Sequence, residues 1–116
     1  MEKSLPIIFF VTTPNEQTAV DLAKRIVERK IAACTNIIPK ITSIYWWEEK
    51  IHTETEYLMI IKTTQLKSEE LITFIHKHHP YEVPECIGLP ITKGFPPYLQ
   101  WIVDSTKERK NHADVH

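Results

Sequence analysis

The sequence predicts an α+β domain of the ferredoxin-like type: a β-α-β-β-α-β sandwich with one long β-hairpin and a C-terminal helix. Two observations carry this. Short apolar, β-branched runs alternate with stretches of helical period in that order. In addition, the middle of the chain holds two extended segments too long to be confined beneath two helices, Ile31 to Trp47 and Ile51 to Thr64. With 116 residues, 42% hydrophobic and 25% charged, the chain has the size and composition of one globular domain. We assign residues 1–106 to that domain and 107–116 to a polar, flexible tail.

Leu5 to Thr12 reads as a buried strand. Thr13-Pro14-Asn15-Glu16 then opens a helix, with Thr13 as N-cap, Pro14 at the first helical position and Glu16 as the return arm of a capping box. Ala19, Val20, Leu22, Ala23, Ile26 and Val27 form its apolar stripe. The extended segment from Ile31 to Trp47 contains Pro39, which removes a ladder donor and predicts a bulge or bend. Glu48-Glu49-Lys50 is the hairpin turn. Leu66 to His79 is the second helix, with Leu71, Ile72, Phe74 and Ile75 inward, and Pro80 stops it. Cys86 to Thr92 is the fourth strand, and Pro90 within it argues for an edge position or a bulge. Tyr98, Leu99, Trp101 and Ile102 mark a short third helix.

Side chains alternate along a strand, so Tyr45 and Trp47 point one way and Ile44 and Trp46 the other. An aromatic strand end with two apolar faces needs a cover on both, from its own domain or from another subunit. His79-Pro80-Tyr81-Glu82-Val83-Pro84-Glu85 gathers an imidazole, a phenol and carboxylates in a proline-fixed loop, the kind of segment that displays binding groups. The net charge of −1 gives no basic field for nucleic acid or an anionic membrane. The first apolar run is too short for a signal-peptide core, and two cysteines are not a disulfide framework. A cytoplasmic protein is the simplest expectation.

The chain resembles the CutA family, the divalent-cation tolerance proteins. The resemblance rests on an ordered set of segments: Glu28-Arg29-Lys30-Ile31-Ala32-Ala33-Cys34, Asn36-Ile37-Ile38-Pro39, Ser43-Ile44-Tyr45-Trp46-Trp47, Ile60-Ile61-Lys62-Thr63, His79 to Glu85, and Tyr98-Leu99-Gln100-Trp101-Ile102. It implies a homotrimer whose long hairpins pair with neighbouring subunits, similar in architecture to the PII signalling proteins, and a protein of metal tolerance without enzymatic activity. Lys40 and Glu49 depart from it, standing where the family often has glycine. Either bend and turn differ there, or these residues tolerate strain.

Cys34 and His79 fall on positions that the resemblance links to metal. With Glu82 and Glu85 they form the candidate ligand set for copper or zinc, no cofactor being obligatory. A PII-like sensor of small molecules or anions is the alternative, with an intersubunit cleft lined by Trp46, Lys62 and Tyr81 beside Glu82. A scaffold for protein partners is a further one. Tyr45 and Trp47 are expected at the trimer interface. Light scattering at micromolar concentration is expected to return three chain masses, from contacts each burying more than about 1,000 Å². A single chain mass contradicts this.

Overall fold

The computed structural model describes residues 4–107. The elements run β1 (Pro6–Thr13), α1 (Glu16–Glu28), β2 (Cys34–Trp47), β3 (Lys50–Thr64), a 3-10 turn (Gln65–Lys67), α2 (Ser68–His78), β4 (Ile87–Pro90) and α3 (Pro96–Ser105). The strands form one antiparallel sheet in the order β2-β3-β1-β4, so β2 and β4 are the edges, as the ferredoxin-like pattern requires. Cys34 and Cys86 lie on these opposite edges and are both unpaired. No helix of the described residues is long and apolar enough to cross a membrane. The tail expected at 107–116 lies, beyond Lys107, outside the described residues.

Strand parity assigns the two sheet faces. Ile7, Phe9 and Val11 of β1 pair with Thr63, Ile61 and Met59 of β3, and all six are buried. Against this face pack Ala19, Leu22 and Ile26 of α1 and Leu71, Phe74 and Ile75 of α2. Gly88 belongs to the same layer: a Cβ there would meet the Phe9 ring at 2.8 Å, so the glycine gives that ring its place. The opposite face carries Ile8, Phe10, Leu58 and Ile60. α3 covers its central strands, with Ile102 fully buried outside the main core. The flanks of this face, Ile38 on β2 and Ile87 and Leu89 on β4, stay exposed in the single chain.

Three local expectations change. Asn15, not Thr13, caps α1: its φ of −156° is extended, and its Oδ1 accepts the Thr18 N–H at 2.8 Å. Thr13 is fully buried in β1 opposite Tyr57, so its hydroxyl is not at the helix start but donates to the Asn15 carbonyl at 3.0 Å. Pro14 and Glu16 each shift two positions with the cap, Pro14 to just before it and Glu16 to the first helical position. Ile72 faces out at 39% exposure, because only Leu71, Phe74 and Ile75 of α2 reach the core. The β4 ladder is four residues long, ending at Pro90, which cannot donate to it.

The hairpin makes the molecule 55 Å long and 22 Å thin. Its register steps from Ile38↔Leu58 to Ile41↔Glu56, three residues on β2 against two on β3. This is the bulge foreseen at Pro39, and Lys40 takes a φ of 57° in it. At the tip, Trp47 pairs with Lys50 around Glu48 and Glu49, with φ of 50° and 64°. Two positive φ values are what a tight two-residue hairpin turn requires, and glycine or asparagine meets that at least cost. Lys40 and Glu49 therefore hold left-handed backbone without glycine's freedom. Glu49→Gly is expected to stabilise the protein by about 1 kcal/mol, read as a melting temperature several degrees higher at fixed protein concentration. An unchanged or lower melting temperature contradicts the turn geometry.

Candidate functional site

Beyond the bulge, one face of the hairpin carries Ser43, Tyr45 and Trp47 from β2, opposite Glu54, His52 and Lys50 from β3. Glu56 follows on the same face, opposite Ile41. Facing this strip is the loop from His79 to Glu85. His79 precedes a proline and takes extended backbone (φ −79°, ψ 142°), which turns the chain out of α2 and back towards the sheet.

The loop is clamped by one connected set of hydrogen bonds. His79 is 7% exposed. Its Nε2 lies 2.7 Å from the Thr12 carbonyl oxygen, just past the stretch of β1 that β4 pairs. A carbonyl only accepts, so Nε2 carries the proton. Nδ1 then accepts the Tyr81 N–H at 3.1 Å. The Tyr81 ring leans on the His79 ring with centroids 4.8 Å apart, and its hydroxyl donates to Glu56 Oε2 at 2.7 Å.

Between hairpin and loop lies a cleft of about 750 Å³. Its lining includes Tyr45, Trp47 and Tyr81, with Glu54, Glu56, Glu82 and Glu85, and His52 at the hairpin side. None of the described residues lining it is Lys or Arg. Burial, reinforced by the bond to Glu56, holds the Tyr81 phenol well above its ordinary pKa. Burial and the neighbouring Glu56 charge raise the Glu85 carboxyl, against an opposing hydrogen bond from Thr12. Glu54 beside the Tyr45 hydroxyl raises that phenol as well. Burial, with Glu85 nearby, pushes the Cys86 thiol up to about 11. The arrangement thus offers negative charge, aromatic faces and protonated phenols.

The structure brings together Glu82, Glu85, Tyr81, Tyr45 and Trp47. It separates the others. Trp46 pairs with Ile51 on the opposite hairpin face and is 70% exposed. Lys62 stands opposite Cys34 and donates to Asn36 Oδ1, with Cys34 Sγ 3.8 Å from the same oxygen. Lys62 and Glu56 are six residues apart on one strand, roughly 20 Å at strand rise. Cys34 is therefore remote from the cleft carboxylates, and both His79 nitrogens are occupied by the clamp. The four-residue ligand set does not assemble within one chain. Among the described residues no group of three His, Cys, Asp or Glu side chains is disposed to hold a metal ion. Sequence reasoning passed over His52, Glu54 and Glu56. Their spacing by twos puts them on one strand face, and counting the Pro39 bulge as one extra residue sets them opposite Tyr45.

Comparison with known proteins agrees with this fold. Residues 7–105 match the family model described as CutA1 divalent ion tolerance protein. A CutA homolog of Xenopus laevis is 50% identical over 99 residues, covering 85% of this chain and 66% of the frog protein. The divalent-cation tolerance protein CutA of Escherichia coli is 43% identical over 96 residues, covering 83% of this chain and 86% of that one. The mouse CutA protein is matched over 58% of its length, so this chain spans less than two-thirds of its animal relatives. The crystal structure of CutA1 from Oryza sativa superposes with a TM-score of 0.88 at 42% identity, covering 94% of this chain and all of that one. The chain belongs to the CutA1 divalent ion tolerance family.

Proposed function

We propose that this protein is a non-enzymatic, self-associating cation binder that takes divalent ions such as copper or zinc into the cleft between hairpin and loop. The observation that carries this is the lining: among the described residues, four glutamates and no Lys or Arg around one opening. Carboxylates suit hard divalent ions, and His52 at the rim adds a nitrogen for copper or zinc. With fewer than three ligating side chains converging among the described residues, waters or a second copy complete the coordination. The Escherichia coli relative, described as a divalent-cation tolerance protein, supports the same reading.

Self-association follows from the surfaces left open. Ile44, Trp46 and Ile51 on the hairpin, and Leu89, Phe95 and Trp101 on the body, are exposed in one chain. A homotrimer in which hairpins cross neighbouring subunits covers them, and there Trp46 and Lys62 meet a neighbour's surface instead of their own Tyr81. Two unpaired cysteines support a reducing, cytoplasmic location.

Calorimetric titration with copper and zinc tests the site. Combined Glu54→Gln and Glu82→Gln changes are expected to weaken binding tenfold or more, in a background where His112 and His116 are alanine. Cys34→Ser is expected to leave affinity unchanged. His79→Ala is expected to leave affinity near the parent's but to destabilise the fold by about 1–3 kcal/mol, because a buried carbonyl loses its donor. Unchanged affinity in the glutamate variants, with loss in Cys34→Ser, overturns the assignment.

Acid should also weaken binding. A raised Glu85 pKa means this carboxyl takes its proton at a higher pH than an ordinary glutamate. Affinity is then lost as pH falls through a window beginning above the usual carboxylate range, and cation uptake there releases a proton. Affinity that stays level down to the ordinary glutamate pKa contradicts this.

A further inference from the structure

The groove between α1 and α2 collects positive charge, and we infer that it binds a phosphoryl dianion, free or as a small phosphate ester, on Arg25, Arg29 and His78. This is a second site, separate from the cleft and of opposite sign. The three side chains converge on the ring of Phe74, itself 5% exposed. The guanidinium carbons of Arg25 and Arg29 stand 5.2 and 5.3 Å from its centroid, and the His78 ring leans on it at 4.4 Å. A guanidinium held against a ring keeps its N–H edge available, and that planar fork matches two oxygens of a phosphoryl group. All these residues belong to α1 and α2, which cover the Phe9 face of the sheet. The surfaces assigned above to self-association lie elsewhere, on the hairpin and on the α3 side, where Leu89 pairs with Ile8. The site therefore does not depend on a surface that the proposed trimer would cover.

The donors gathered here are largely unspent. Arg25 lies 3.2 Å from His78 Nδ1, and a guanidinium only donates, so the imidazole carries its proton on Nε2. Partial burial, followed by the charges of Arg25, Lys77 and Arg29, holds that ring below the ordinary histidine pKa, with Asp21 opposing. Among the described residues the one carboxylate paired with either arginine is Asp21, 3.3 Å from Arg25 and 61% exposed. Glu70, one turn before Phe74, pairs with Lys67 instead. Arg29 meets the Phe74 ring and, among the described residues, no carboxylate. Like charges four residues apart on a helix repel, and a dianion bridging the two guanidiniums removes that cost. Beside His78 lies a cavity of about 400 Å³, lined also by Asn15, Gln17, Thr18 and Asp21. Amide and hydroxyl groups of this kind suit the polar organic part of a phosphate ester.

Inorganic phosphate and glycerol phosphate are the probes, titrated into the full-length protein at fixed ionic strength. NMR follows the arginine side-chain N–H groups and the His78 ring. Saturable shifts at Arg25, Arg29 and His78 are expected, with phosphate about tenfold tighter than the monoanion acetate. Arg29→Gln, a change at an exposed residue, is expected to keep the parent's backbone spectrum and to weaken phosphate about tenfold. Arg29→Lys keeps the charge but loses the planar fork, and is expected to weaken phosphate several-fold. Absence of saturable shifts, acetate binding as tight as phosphate, or parent-like affinity in Arg29→Gln overturns the inference. Parent-like affinity in Arg29→Lys overturns it too, because diffuse surface charge would then suffice. Tighter binding of glycerol phosphate than of phosphate supports the ester form, and equal binding supports the free anion. The combined Glu54→Gln and Glu82→Gln variant is expected to bind phosphate as the parent does. Loss of phosphate binding there would place the anion outside this groove and overturn the inference, whatever zinc does at the cleft.

Discussion

Between Ile38 and Ile41 the β2 strand carries one more residue than β3 opposite it, and everything about the cleft depends on that extra residue. Side chains alternate with a period of two, so one inserted residue moves every later side chain to the other face. Without it, Ile44 and Trp46 would stand beside Glu54 and Glu56. With it, Tyr45 and Trp47 do. The strand accepts the insertion because β2 is an edge and Pro39 has no N–H to lose from a ladder. Lys40 closes the bulge in left-handed backbone at φ 57°. A strained residue retained at that point is the cost of setting two aromatic rings and two carboxylates on one surface.

The facing wall depends on a second economy. His79 has the chemistry of a ligand but the surroundings of a structural residue: buried, with one nitrogen donating to Thr12 and the other accepting from Tyr81. That pair of bonds carries the Tyr81 hydroxyl to Glu56 and so fixes the distance between loop and hairpin. The glutamates of the loop are then presented, not sequestered, with Glu82 exposed on the outer side. Hairpin parity and loop clamp together make an acidic, aromatic-walled opening from two segments more than twenty residues apart.

Much of the fold was legible because apolar period and chain breakers agree along most of the sequence. Element order, edge strands, the Pro39 bulge and the stop at Pro80 all follow from residues whose backbone demands are strong. The N-cap was misplaced by two residues because Thr13 and Asn15 are both good caps, and only β1 pairing shows that Thr13 is buried in the sheet. Site residues were less legible. A strand reading His52-Thr53-Glu54-Thr55-Glu56 looks like a solvated face, and its meaning appears only when the loop folds over it. Trp46 and Tyr81 were grouped as parts of a cleft between subunits, and within one chain they stand on different surfaces, Trp46 pairing with Ile51 on the other hairpin face. Cys34 and His79 were set together by the family resemblance, while within one chain the sheet holds Cys34 opposite Lys62, away from the cleft.

The chain belongs to the CutA1 divalent ion tolerance family, and the cleft is the cation site proposed for it. The most direct measurement is NMR of the glutamate side-chain carboxyl carbons in protein labelled at glutamate, titrated with zinc. Binding at the cleft predicts that the largest shifts fall on Glu54, Glu56, Glu82 and Glu85, with Glu28, Glu69 and Glu70 on the helices unmoved. Shifts confined to the helix glutamates, or saturable binding that moves none of the four cleft signals, would contradict the account.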